Sequence, residues 1–107
     1  MTVEQKQVID VMSLSKDEKI AIMTISDHLD WDDEHNHMLL LQDKINVYLG
    51  TIENEEIYEV YPQSKGKKFE IRVCAKYDLT KNAKEFINKV KNIVENGGYT
   101  FVWEKIS

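Results

Sequence analysis

Phe69-Glu70-Ile71-Arg72-Val73-Cys74-Ala75-Lys76-Tyr77 alternates without a break. Phe69, Ile71, Val73, Ala75 and Tyr77 share one side, with Glu70, Arg72, Cys74 and Lys76 on the other. A period of two is that of a strand, and so clean an alternation marks one covered face and one left to solvent. Thr80 follows as a helix cap, and Ala83, Phe86, Ile87, Val90, Ile93 and Val94 recur at helical spacing behind it. Gly97-Gly98 ends that helix, and Tyr99-Thr100-Phe101-Val102-Trp103 reads as a further strand. Short connections on both sides of the helix make its flanking strands parallel, through a right-handed crossover.

Working back toward the N-terminus, residues 55–66 are ambiguous. Ile57-Tyr58-Glu59-Val60-Tyr61 reads either as a short edge strand or as one more helical turn before Pro62, and Lys65-Gly66 as a turn. Before it lies a long helix with the stripe Met38, Leu41, Ile45, Tyr48, Leu49 and Ile52, ending near Glu53-Asn54. Ser26, Asp27 or Asp30 is the expected cap, with Asp32, Asp33 and Glu34 loading the first turn where the helix dipole favours negative charge. Val8–Ser15 and Lys19–Ser26, separated by Lys16-Asp17-Glu18, form a β-hairpin. Neither of its strands alternates cleanly, which suits a central hairpin with both faces partly covered.

The order is therefore β-β-α-(β)-β-α-β. The expected fold is one α+β domain over residues 1–107, a single mixed four- or five-stranded sheet with two helices packed on one face. A chain of 107 residues has room for one core. Its 42% hydrophobic and 31% charged content is ordinary for a globular protein. No apolar run approaches the roughly 20 residues that span a bilayer, and Met1-Thr2-Val3-Glu4-Gln5-Lys6 shows no basic stretch followed by an apolar run, so no secretion signal is expected. Cys74 is alone, which excludes an intramolecular disulfide and a cysteine metal cage and fits a reducing cytoplasm.

The net charge of −5 conceals an asymmetry. Residues 1–62 hold four lysines against fourteen carboxylates, and residues 63–107 hold ten basic residues against five acids. Such polarity can steer a partner, or it can be two solvated halves that the fold interleaves.

Candidate chemistry concentrates in Ile25-Ser26-Asp27-His28-Leu29-Asp30-Trp31-Asp32-Asp33-Glu34-His35-Asn36-His37, which contains every histidine of the chain. His28, Asp32, His35 and His37 are competent metal ligands. Positions 35 and 37 sit about 200° apart on a helix and cannot chelate one ion together. Asp30, Asp32 and Glu34 alternate as in a calcium loop, but Leu41 stands where the terminal glutamate belongs and the glycine is missing. Acids at a helix start explain the same residues without a metal, so no metal or other cofactor is expected.

No Ser-His-Asp order, Gly-x-Ser-x-Gly elbow, P-loop or Gly-x-Gly-x-x-Gly occurs, and the chain is not expected to be an enzyme. Lys65, Lys67, Lys68, Arg72, Lys76, Lys81, Lys84, Lys89 and Lys91 would serve nucleic acid, but the chain is acidic, has one arginine and carries no binding motif. Trp31 between carboxylates fits an interface with an acidic rim, or a ring folded back on the domain as a staple at the helix start. Tyr58 and Tyr61 among Glu55, Glu56 and Glu59 pose the same choice.

Val3-Glu4-Gln5, Val8-Ile9-Asp10, the Ser26-Asp27-His28-Leu29-Asp30-Trp31 signature, the run Leu39–Leu49, Tyr61-Pro62 and Lys65-Gly66 resemble an uncharacterised family. Its members are short, stand-alone bacterial proteins classed as a domain of unknown function. The resemblance covers most of the chain and implies a bacterial cytoplasmic setting, without a catalytic residue or ligand. The reading reached from the residues is a non-enzymatic protein-interaction module, of which an immunity- or antitoxin-like protein is one version. It would bind a basic protein partner through Asp27, Asp30, Trp31, Asp32, Asp33 and Glu34. The alternative is a metal- or small-ligand-binding protein using the His/Asp cluster at 28–37. No nucleic-acid or membrane partner is expected, and an exposed sheet edge leaves room for pairing with a second copy.

Overall fold

The computed structural model describes residues 11–106. The hairpin consists of β1 (Val11–Leu14) and β2 (Ile20–Asp27), and the expected start of its first strand at residues 8–10 lies outside the described residues. Then come α1 (Glu34–Glu53), α2 (Ile57–Val60), a 3-10 turn over Pro62–Ser64, β3 (Lys68–Ala75), α3 (Lys81–Asn96) and β4 (Thr100–Lys105). The sheet has four strands in the order β1-β2-β3-β4. β1 runs antiparallel to β2, and β2, β3 and β4 are mutually parallel.

Residues 57–60 resolve as helix, so they add no fifth strand, and among the described residues the sheet has four. Ile57 turns fully into the core, Tyr61 N–H donates to Ile57 O at 2.7 Å, and Pro62 then ends the turn. Gly66 and Gly98 adopt φ +80° and +92°, left-handed backbone that glycine takes without a Cβ penalty.

One face of the sheet carries the core. Ala21, Met23 and Ile25 of β2, Phe69, Ile71 and Val73 of β3, and Phe101 of β4 meet Leu41, Ile45, Tyr48 and Ile52 of α1 and Ala83, Ile87, Val90 and Val94 of α3. β2 alternates more strictly than its sequence suggested, with Ala21, Met23, Ile25 and Asp27 buried and the residues between them half-buried. Two expected core residues lie outside. Ile93 is 64% exposed on the outer side of α3, and Tyr77, beyond the end of β3, is 41% exposed. On the other sheet face Arg72 donates to Glu70 Oε2 from Nε at 3.1 Å and Nη2 at 2.9 Å, and Nη1 lies 3.7 Å from Glu104.

Because the strand order follows the sequence, the acidic residues 11–62 and the basic residues 63–106 lie side by side and are not interleaved. The asymmetry along the chain is thus an asymmetry across the sheet. Among the described residues no helix is long and apolar enough to cross a membrane.

Candidate functional site

The inward face of β2 ends on a carboxylate. The strand's period of two that buries Ala21, Met23 and Ile25 also buries Asp27, which is 2% exposed. On α1 the inward stripe of Leu41, Lys44, Tyr48 and Ile52 extends back by one turn to His37, also 2% exposed. The two side chains meet, with His37 Nε2 at 2.6 Å from Asp27 Oδ2. The other ring nitrogen, Nδ1, is 2.9 Å from the carbonyl oxygen of Asp30. Asp27 Oδ1 accepts from Leu29 N–H at 3.3 Å. The Trp31 ring stacks on His37 with centroids 3.6 Å apart and planes inclined by 20°. The β2–α1 loop is thereby drawn down over the histidine by its own backbone and its own tryptophan.

This detour sets the start of α1. Neither Ser26, Asp27 nor Asp30 caps it: the chain must first pass over His37, and the cap falls to Asp33, whose Oδ1 accepts from Asn36 N–H at 3.2 Å. Of the three acids expected in the first turn only Glu34 is inside the helix. Asp32 stays in the loop, where its N–H donates to Asp30 Oδ1 at 3.1 Å. Glu34 accepts from Thr80 Oγ1–H at 2.7 Å, and Thr80 caps α3 as expected, tying the two helix starts together.

The six residues expected to form an acidic face therefore divide. Asp30, Asp32 and Asp33 are exposed and Glu34 is half-buried, whereas Asp27 and Trp31 lie inside the protein. Trp31, 8% exposed, is the ring folded back on the domain, and it packs with the core. Asp27 and Trp31 support the face from beneath.

The metal candidates separate as well. His28 and His35 are exposed and His37 is buried, and both ring nitrogens of His37 are engaged by hydrogen-bond partners. Among the described residues no three His, Cys, Asp or Glu side chains converge in a way that could hold a metal ion.

At the C-terminal ends of β2 and β3 a cleft of ≈ 320 Å³ opens, lined by His28, Leu29, Asp30, Asp33, Asn36, His37 and Tyr77. Open parallel sheets bind ligands at this end of their strands. Within the cleft both ring nitrogens of His37 already face hydrogen-bond partners, Asp27 Oδ2 and the Asp30 carbonyl oxygen, and neither is turned to an incoming group. Nor is Cys74 activated: burial pushes its thiol pKa up, and its Sγ donates to Glu104 Oε1 at 3.4 Å on the opposite sheet face.

The Asp27–His37 pair and the fully buried Lys44 escaped the sequence reading as inward residues. The signal was present, since positions 37 and 44 continue the three- and four-residue steps of Leu41, Tyr48 and Ile52. Polar identity hid them from a search for apolar stripes. Lys44 Nζ lies 5.4 Å from the Tyr48 ring centroid, and burial lowers its pKa.

No curated protein and no solved structure matches the chain. A family model does match, and it extends over residues 1–107, from the hairpin through the signature loop to the last strand: the chain belongs to DUF6572, a family of unknown function.

Proposed function

We propose that this chain is a non-enzymatic protein-interaction module that presents Asp30, Asp32 and Asp33 to a basic protein partner. The carrying observation is that three exposed carboxylates sit on a loop held from below by the Trp31–His37 stack and the contact of His37 Nδ1 with the Asp30 carbonyl, His37 being itself held by the buried Asp27. Charges held in place lose less freedom on binding than charges on a mobile loop. The side-by-side acidic and basic parts of the chain support the same reading, since such a field orients an approaching partner. An immunity- or antitoxin-like role in a bacterial cytoplasm, neutralising a basic toxin, is the specific form this module would take.

The test is a pull-down from the native host, washed at low and then high salt, with the recovered protein assayed against the purified chain. A basic partner whose affinity falls with salt, and falls roughly tenfold or more for Asp30→Lys with Asp32→Lys, supports the reading. Binding unaffected by either change would end it.

A second reading is supported by the cleft at the strand ends: a small polar ligand seated between the signature loop and Tyr77. Metabolites retained by the native protein and lost with Asn36→Ala and Tyr77→Ala would favour it over the first.

A further inference from the structure

We propose that Asp27 and His37 form a proton-operated latch on the loop that carries Asp30, Asp32 and Asp33. Its consequence for binding rests on the acidic-face reading, whereas the latch itself is a property of the free chain.

Proton placement follows from the acceptors. A carbonyl oxygen only accepts, so the 2.9 Å contact to Asp30 requires a hydrogen on His37 Nδ1. The 2.6 Å contact between Nε2 and Asp27 Oδ2 requires a second hydrogen, because two lone pairs do not meet at that distance. The closed arrangement thus holds one proton more than a neutral imidazole beside a carboxylate. When that proton leaves, the ring donates only once. The charged carboxylate is the stronger acceptor and keeps the donor, and the carbonyl of Asp30 loses its partner. The latch is closed while the shared proton is present and opens as pH rises and removes it. Release of the Asp30 carbonyl leaves the Trp31 stack and the Asp33 cap as the remaining anchors of this segment, and so loosens the three exposed carboxylates.

Other titratable groups surround the ring. Asp27 faces it from β2, His28 and Asp30 line the same cleft from the loop, Asp33 does so from the cap of α1, and Tyr77 from beyond β3. The readout must therefore be specific to His37. Substituting Asp27→Asn separates the latch from general titration. The amide oxygen of Asn still accepts from Leu29 N–H, and its N–H donates to an unprotonated Nε2, leaving Nδ1–H on the Asp30 carbonyl. That variant closes the latch without the extra proton.

The experiment is a titration of the free protein from about pH 5 to about pH 9, the range in which imidazoles change charge, following the His37 ring nitrogens by nitrogen-15 NMR. Amide exchange at Asp32 and Asp33 and Trp31 emission are followed in parallel. The native chain is expected to lose Nδ1–H in one step. Loop amide exchange should rise about tenfold or more, and Trp31 emission should change, in that same step. Asp27→Asn is expected to keep Nδ1–H and loop protection throughout. Constant ring nitrogens in the native chain would overturn the latch, as would a step that leaves loop exchange unchanged, or an Asp27→Asn variant that opens as the native chain does. Should that variant fail to fold, the native titration decides alone. No partner is used, so failure here leaves the acidic-face reading standing, and failure of the pull-down leaves the latch standing.

Discussion

α1 and α3 both follow a parallel strand and both begin at the same end of the sheet, yet they use those beginnings differently. α3 starts directly on Thr80, whose hydroxyl accepts from Ala83 N–H at 3.2 Å, and it turns Ala83, Ile87, Val90 and Val94 to the core. Its buried stripe is apolar throughout. α1 starts only after the chain has passed over His37, and its inner stripe contains a histidine and a lysine as well as apolar residues. Burying polar groups costs stability unless each is hydrogen-bonded, so a helix that buries them is shaped by something besides core formation. The difference marks the start of α1 as the place where buried polar groups, held by hydrogen bonds, replace apolar packing.

That contrast is open to measurement, beginning with the largest effect. His37→Ala removes the stack on Trp31 and leaves Asp27 buried without its partner. Denaturant unfolding should show a loss of about 3–5 kcal/mol, the range for breaking a buried pair. A loss under about 1 kcal/mol would place the start of α1 on the same footing as that of α3.

Tyr48 gives a pH signature on the same helix. Burial pushes its phenol from the ordinary 10.0 up to about 12. The folded state thus keeps a proton that the unfolded state has already lost, and stability is full below pH 10 and falls as pH rises toward 12. The loss attributable to this one group is about 2–3 kcal/mol. Tyr48→Phe should flatten that alkaline fall in a series of urea melts, whereas no tyrosine lies on α3 to do the same.

Smaller effects come from the caps. Thr80→Ala should cost about 1 kcal/mol, and Asp33→Ala a similar amount, by thermal or urea melts. Thr80 also donates to Glu34, so a double-mutant cycle of Thr80→Ala with Glu34→Ala should show a coupling of about 0.5 kcal/mol or more. The smallest change is expected at Asp32→Lys, within about 0.5 kcal/mol of the native chain, as for an exposed position. A large loss there would mean that Asp32 holds the loop together, which would weaken its assignment to a binding surface.

β3 and α3 were legible because the inner face of each carries apolar side chains at one period, although Glu70, expected on the open side of β3, is also buried there beside its partner Arg72. Phe69, Ile71 and Val73 at steps of two, and Ala83, Ile87, Val90 and Val94 at steps of three and four, need no knowledge of their neighbours. Residues 57–61 were not legible, since five residues ending at a proline fit a strand or a turn until Ile57 is seen in the core. The cap of α1 was misplaced for a different reason. Ser26, Asp27, Asp30 and Asp33 all have suitable side chains, and the choice among them depends on where Trp31 must lie.

The sequence alone determined the types of the long elements but not of residues 57–61, the alternation that gives β3 an apolar face, the helical segments that cover it, and the thirteen-residue segment in which the unusual chemistry is concentrated. Those follow from periodicity and cap chemistry, which are local along the chain. Only the tertiary structure decided which of those acids and histidines face outward. Asp27 is buried because β2 places it on the inner pleat, and Trp31 is buried because His37 of α1 offers it a face to stack on. Both depend on a strand and a helix meeting in space, ten residues apart in sequence at the Asp27–His37 contact, and no local rule fixes how they meet.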